Sequence, residues 1–160
     1  MTKKPSFTGR RKARRYALQA LYSWVLSDNV LSDIETHFLV EHAAEEFDRE
    51  YFQTLLHEVP RHIEILETTM SPYLSRKFAD LDPIELTILR ISIYELKERL
   101  DIPYRVVINE GLELAKAFGS VDSHKFVNGV LDKVARELRK TEINDSTQDK
   151  GKIPFNESEK

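Results

Sequence analysis

Apolar positions along this chain recur every three to four residues almost throughout, and the two-residue alternation of a half-buried strand is hard to find. The fold class this predicts is all-α, a bundle of about seven helices. A first helix is expected from about Gly9 to Ser27, with Ala13, Ala17, Ala20, Leu21, Trp24 and Val25 on one face. Ser32 is placed to cap a second helix carrying Ile34, Phe38 and Leu39. Asp48 is placed to cap a third, with Tyr51, Phe52, Leu55, Leu56 and Val59 as its apolar face. Pro60 removes a donor and clashes one turn back, so it should kink or end that helix, and Ile63 and Leu66 resume the pattern. Ser71-Pro72 opens a short helix with proline at its first position.

"DPIE" at 82 to 85 is a strong start signal: Asp82 as N-cap, Pro83 as first helical residue, and Glu85 placed to reach back to the cap. The "IELTILRISIYEL" that follows is apolar on nearly every side, which predicts a central helix. Pro103 opens the next helix, with Val107, Gly111, Leu114, Ala115 and Phe118 along one side and Gly119 as its C-terminal cap. Asp122 or Ser123 caps the last helix, whose Val127, Val130, Leu131, Val134 and Leu138 face inward. The resulting division is a flexible basic lead at 1–9, an all-helical domain at 10–140 and a disordered polar tail at 141–160, where helical periodicity is lost.

Composition narrows the chemistry. Cysteine is absent, which excludes disulfides, cysteine-ligated zinc, iron–sulfur clusters and a cysteine nucleophile, and suits a reducing, cytoplasmic setting. No apolar run approaches the roughly 18 residues of a membrane span. "HEVPRH" at 57 to 62 has one residue too many for a zinc-protease motif, because His57 and His62 at i and i+5 point apart. "DSHK" at 122 to 125 sets an acid, a hydroxyl and an imidazole side by side, whereas a catalytic triad converges from separate elements. Neither phosphate-binding glycine motif is present. Nothing commits the chain to catalysis or to a cofactor.

Charge is the informative feature. Net charge is only −3, but residues 1–27 hold Lys3, Lys4, Arg10, Arg11, Lys12, Arg14 and Arg15 and no acid. The remaining 17 bases face 27 acids. A basic patch on an acidic body points to a phosphate partner in one place. Cations at a helix N-terminus oppose the helix dipole, so something must offset them. Three readings compete: a solvated helix end, an arginine-rich transit peptide, and a nucleic-acid surface. Removing a transit peptide would take Leu21, Trp24 and Val25 out of the fold. For nucleic acid, Tyr16 beside the basic run, and Phe118 and Phe126 flanking the Gly119 turn, offer stacking faces for unpaired bases, with core packing the competing role for each.

Five segments carry a family resemblance: "ALQALYSW" at 17 to 24, "PYLSR" at 72 to 76, "ILRISIYEL" at 88 to 96, "PYRVVINEGLELAKAFG" at 103 to 119 and "DSHKFVNGVLDKVA" at 122 to 135. In this order, over roughly residues 10 to 138, they resemble the NusB family of bacterial transcription antitermination factors. The resemblance implies two packed three-helix-type subdomains and no catalysis. It implies binding to boxA, a single-stranded element of ribosomal RNA leaders, in partnership with the ribosomal small-subunit protein NusE, and read-through by RNA polymerase. Carried over by position, the RNA surface would comprise Arg10, Arg11, Lys12, Arg14 and Arg15 with Phe118, Asp122, Lys125 and Phe126, the charge of Asp122 moderating phosphate affinity while it caps a helix. Tyr22 and Glu85 are the candidates for the NusE face. An apolar stripe is open to two uses, core or a homodimer face in the absence of NusE. A structural adaptor that binds proteins without RNA is the alternative function. NusB-like domains also resemble the N-terminal part of ribosomal RNA cytosine methyltransferases, which need a cofactor-binding α/β domain and a cysteine nucleophile. These 160 residues contain neither.

Overall fold

Each helix begins where a local device makes it begin. The computed structural model describes residues 6–145. Of the expected flexible lead at 1–9, residues 1–5 lie outside the described residues, as do residues 146–160 of the expected disordered tail at 141–160. Helix α1 (Phe7–Leu26) starts two residues earlier than predicted, because the Ser6 hydroxyl accepts from the Gly9 N–H at 2.9 Å. Its buried face is Ala13, Arg14, Ala17, Leu18, Ala20 and Leu21. Four of the six predicted face residues are in it, while Trp24 is only half-buried and Val25 is exposed, so burial fades towards the C-terminal end of the helix. Helix α2 (Leu31–Glu41) starts before Ser32, with Val30 in the cap position and no side-chain cap.

Asp48 caps α3 (Arg49–Arg61) by accepting from the Tyr51 N–H, and all five predicted face residues are buried. Pro60 ends that helix within one residue, and α4 (Ile63–Met70) resumes beyond His62. Single 3-10 turns follow at Ser71–Tyr73 and Phe78–Asp80. Helix α5 (Pro83–Glu98) is capped by Asp82, whose Oδ1 accepts from the Ile84 N–H at 2.7 Å. It is buried on nearly every side, as its all-round apolar pattern predicts. Helices α6 (Tyr104–Phe118) and α7 (Ser123–Leu138) complete the bundle.

The tail departs from expectation. Residues 141–145 are helical, not disordered, because Arg139 and the segment after it close two open helix ends. Arg139 is buried and donates to the carbonyls of Glu95, Leu96 and Arg99 at the C-terminus of α5. Glu142 accepts from the first N–H of α6, at Tyr104, and from Arg139. Ile143 packs against the core.

Helices α1, α2 and α3 pack on one another, as do α5, α6 and α7, and α5 also lies against α1, α3 and α4. One continuous core therefore runs through both groups. The α5–α6 approach is close enough that a Cβ at Gly111 would come within 2.7 Å of the Ser92 hydroxyl and 3.0 Å of Leu131. Among the described residues there is no strand, and no helix is long and apolar enough to cross a membrane.

Candidate nucleic-acid interface

The basic opening of α1 divides between two environments. Arg14 is 2% exposed. Its Nε donates to Glu95 of α5 at 2.8 Å, and its guanidinium lies 3.7 Å from Glu110 of α6. Tyr51 of α3 donates its hydroxyl to the same Glu95. Burial would lower the Arg14 pKa, but the charge of Glu95, the hydrogen bond to it and the charge of Glu110 hold it above its usual value. Burial, then the Glu95 charge, pushes Tyr51 up. Arg14 therefore cannot contact RNA in this arrangement, which corrects its assignment to the RNA surface. Arg14 lies three and four residues before Ala17 and Leu18, on the buried stripe, and helical spacing alone could have separated it from Arg15.

Arg10 and Arg11 are partly engaged. Arg10 sits 4.3 Å over the Tyr51 ring and 3.6 Å from Asp48. Arg11 makes a two-pronged pair with Glu110, Nε to Oε1 at 3.1 Å and Nη2 to Oε2 at 2.8 Å. That hydrogen bond raises its pKa, yet its side chain is still 41% exposed. The offset demanded by cations at a helix start is thus supplied largely from within, by Asp48, Glu95 and Glu110.

Lys12 and Arg15 face outward. Lys12 has only a loose contact with Glu45 at 3.7 Å. Arg15 is exposed, makes no ion pair among the described residues, and lies 5.7 Å over the Phe118 ring at the end of α6. The helix start and the Gly119 turn therefore share one side of the molecule. Beyond the turn, Lys125 is exposed with Asp122 at 3.8 Å, and half-buried Phe126 carries the guanidinium of Arg76 4.5 Å over its ring. Arg76 is exposed, also without an ion pair among the described residues. Nothing in the sequence singles it out beyond its place as the last residue of the family-like segment at 72 to 76, next to Lys77. Val121, at the tip of the turn, is 86% exposed.

Three further expectations are corrected. Tyr16 offers no stacking face: it stacks on His42 with centroids 4.1 Å apart, meets Phe47 edge-on, and donates its hydroxyl to Glu45. Asp122 occupies the cap position of α7 without a side-chain cap hydrogen bond, and its carboxylate points to Lys125 instead. Glu85 does not reach back to Asp82 and is 6% exposed, its Oε2 accepting from the Ser123 hydroxyl at 2.6 Å. Its side chain is therefore mostly buried between α5 and α7. Tyr22 is half-buried on α1.

What the geometry defines is an all-helical protein with a cationic, aromatic face built from the start of α1, the α6–α7 turn and the loop before α5. Residues 11–136 match the NusB family, and the chain belongs to it. It is 54% identical over 138 residues to the transcription antitermination protein NusB of Alcanivorax borkumensis, covering 86% of this chain and 92% of that protein. It is 55% identical over 130 residues to that of Edwardsiella ictaluri, covering 81% and 94%. Among solved structures it resembles T. maritima NusB (TM-score 0.68, 30% identity, 85% of this chain and 94% of that one). It also resembles a chain of a crystal structure of the antitermination factors NusB and NusE in complex with dsRNA (TM-score 0.72, 27% identity, 82% and 99%).

Proposed function

We propose that this chain is a non-catalytic, cytoplasmic transcription antitermination factor that binds boxA-type single-stranded RNA of ribosomal RNA leaders together with NusE, and so promotes read-through by RNA polymerase. The observation that carries the proposal is the placement of Arg15 over Phe118. It joins the cationic start of α1 to the aromatic turn after α6 in one surface, where Arg15 has no ion-pair partner among the described residues. Family membership and the solved NusB structure with NusE and dsRNA supply the partner class. The working surface is Arg11, Lys12, Arg15, Arg76 and Lys125 for phosphates, with Phe118 and Phe126 for bases. Arg10 contributes from the edge. Asp122, held beside Lys125, tempers phosphate affinity there. Tyr22 remains the candidate contact for NusE.

The test is a titration of the full chain with short single-stranded boxA RNA, with and without NusE, against a duplex of the same sequence. Five neutralised phosphates give a slope of log affinity on log salt of about −3.5 for single strands. Tighter binding with NusE and preference for the unpaired strand are expected. NusE binding that is indifferent to RNA, with a flat salt response, would instead identify a protein-only adaptor.

A further inference from the structure

We infer that Glu85 is a positioning residue for the RNA-facing turn: through the buried hydroxyl of Ser123 it fixes the backbone of residues 119–123 that presents Phe118, Lys125 and Phe126. This rests on the RNA surface proposed above. Glu85 stands in the first turn of α5, yet its carboxylate is directed into the protein rather than back to its own cap. It receives the proton of Ser123, a residue with no exposed surface, at 2.6 Å. With that proton committed, Ser123 Oγ has only lone pairs left, and it accepts from the Ser120 N–H at 2.9 Å. The Ser120 hydroxyl, 3.1 Å away, then has to act as the second donor. The order of donors runs one way, from the turn backbone through Ser123 to Glu85.

Two further observations give this relay consequence. Among the described residues Glu85 Oε1 is buried without a hydrogen-bond partner and Ser123 is the one group that bonds this carboxylate, an uncommon arrangement. The turn is also packed to its limit. A Cβ at Gly119 would fall 2.6 Å from both Cβ and Oγ of Ser123 and 2.8 Å from the Ala115 carbonyl, so the turn can sit against Ser123 only as glycine. Displacing Ser123 therefore moves the turn, and Glu85 fixes the direction of the Ser123 hydroxyl from outside the turn.

The experiment compares Glu85→Ala, Glu85→Gln, Ser123→Ala and the Glu85→Ala/Ser123→Ala pair by boxA affinity, salt slope and amide exchange. Glu85→Ala and Ser123→Ala should each weaken RNA about tenfold, as expected of groups that act on a site without touching its ligand. The double variant should be no weaker than either single one. The salt slope should stay unchanged, since no phosphate contact is removed. Exchange should quicken at 119–125 before the rest of the chain, with or without RNA. Glu85→Gln keeps an acceptor for Ser123 and should restore most of the affinity. That variant and Ser123→Ala decide the matter if Glu85→Ala does not fold. Additive losses, unaltered exchange in the turn, or a Gln variant as weak as Ala would overturn the inference. If Arg15→Ala and Phe118→Ala also leave RNA binding intact, the proposed RNA surface itself is wrong; if they weaken it while the Glu85 and Ser123 variants do not, only the positioning role fails.

Discussion

Arg14 and Arg15 are adjacent in sequence and serve opposite purposes. Arg14 is an interior cation that Glu95 and Glu110 enclose, so Arg14→Ala leaves the buried Glu95 carboxylate without its cation, while Glu110 keeps Arg11, and should cost about 3–5 kcal/mol in a denaturant melt. Its effect on RNA should vanish once only folded protein is counted. Arg15→Ala should change stability by less than about 0.5 kcal/mol, yet lower RNA affinity and make the salt slope shallower by about 0.7. Phe118→Ala should lose about 1–3 kcal/mol of binding with no change in that slope, which a titration at several salt concentrations separates from a charge effect. At this scale the sequence was half legible. It located the cluster of cations and the aromatic turn. It could not show that Glu95 and Glu110, acids on two helices far along the chain, reach back across 81 and 99 residues to claim two of those arginines. Pairings so distant along the chain leave no local periodic trace.

Among the elements, the link from α1 to the loop between α2 and α3 behaves as a clasp. The Tyr16 hydroxyl and His42 both bond Glu45, and the Asp48 N–H donates to the Gly9 carbonyl. The hydrogen bond from Tyr16, then that from His42, lowers the Glu45 carboxyl to about 2 from its ordinary 4.5. Burial and the bond to Glu45 raise Tyr16 to about 12 from 10. The signs follow from which state holds the proton more tightly. The Glu45 contribution is complete above the ordinary carboxylate value and is lost as pH falls from about 4.5 to about 2. The Tyr16 contribution is complete below about 10 and is lost as pH rises from 10 to about 12. Ultraviolet titration of phenolate formation should show a late component near pH 12 that Tyr16→Phe removes, with buried Tyr51 ionising later still. Helix starts with a side-chain cap were readable in advance, as at Asp48 and Asp82. The start of α2, which has none, and the helical residues 141–145, held by Arg139 and Glu142, were not. Those depend on partners in other helices. Arg139→Ala would strand the carbonyls closing α5 and should cost about 1–3 kcal/mol, read as a lower melting midpoint.

For the molecule as a whole, α5 is shared by both helical groups, and the Arg14–Glu95–Tyr51 contacts bind α1, α3 and α5 at one buried point. The two groups should therefore unfold together. Native-state amide exchange should find the central residues of α5 opening only with the global transition, while the turn at 119–123 opens at lower free energy. A chain of this length with one continuous core is expected to melt in a single step, and separate transitions for the two groups would contradict that.

Glu110 joins the rim of the proposed surface to its interior. It grips Arg11 from the outside and stands within 3.7 Å of Arg14 on the inside. A phosphate that draws Arg11 away leaves this carboxylate leaning on a deeper cation. Occupancy at the rim would then register inside the bundle as a shorter Arg14–Glu110 separation, and infrared spectroscopy of a labelled glutamate could detect the RNA without observing it directly.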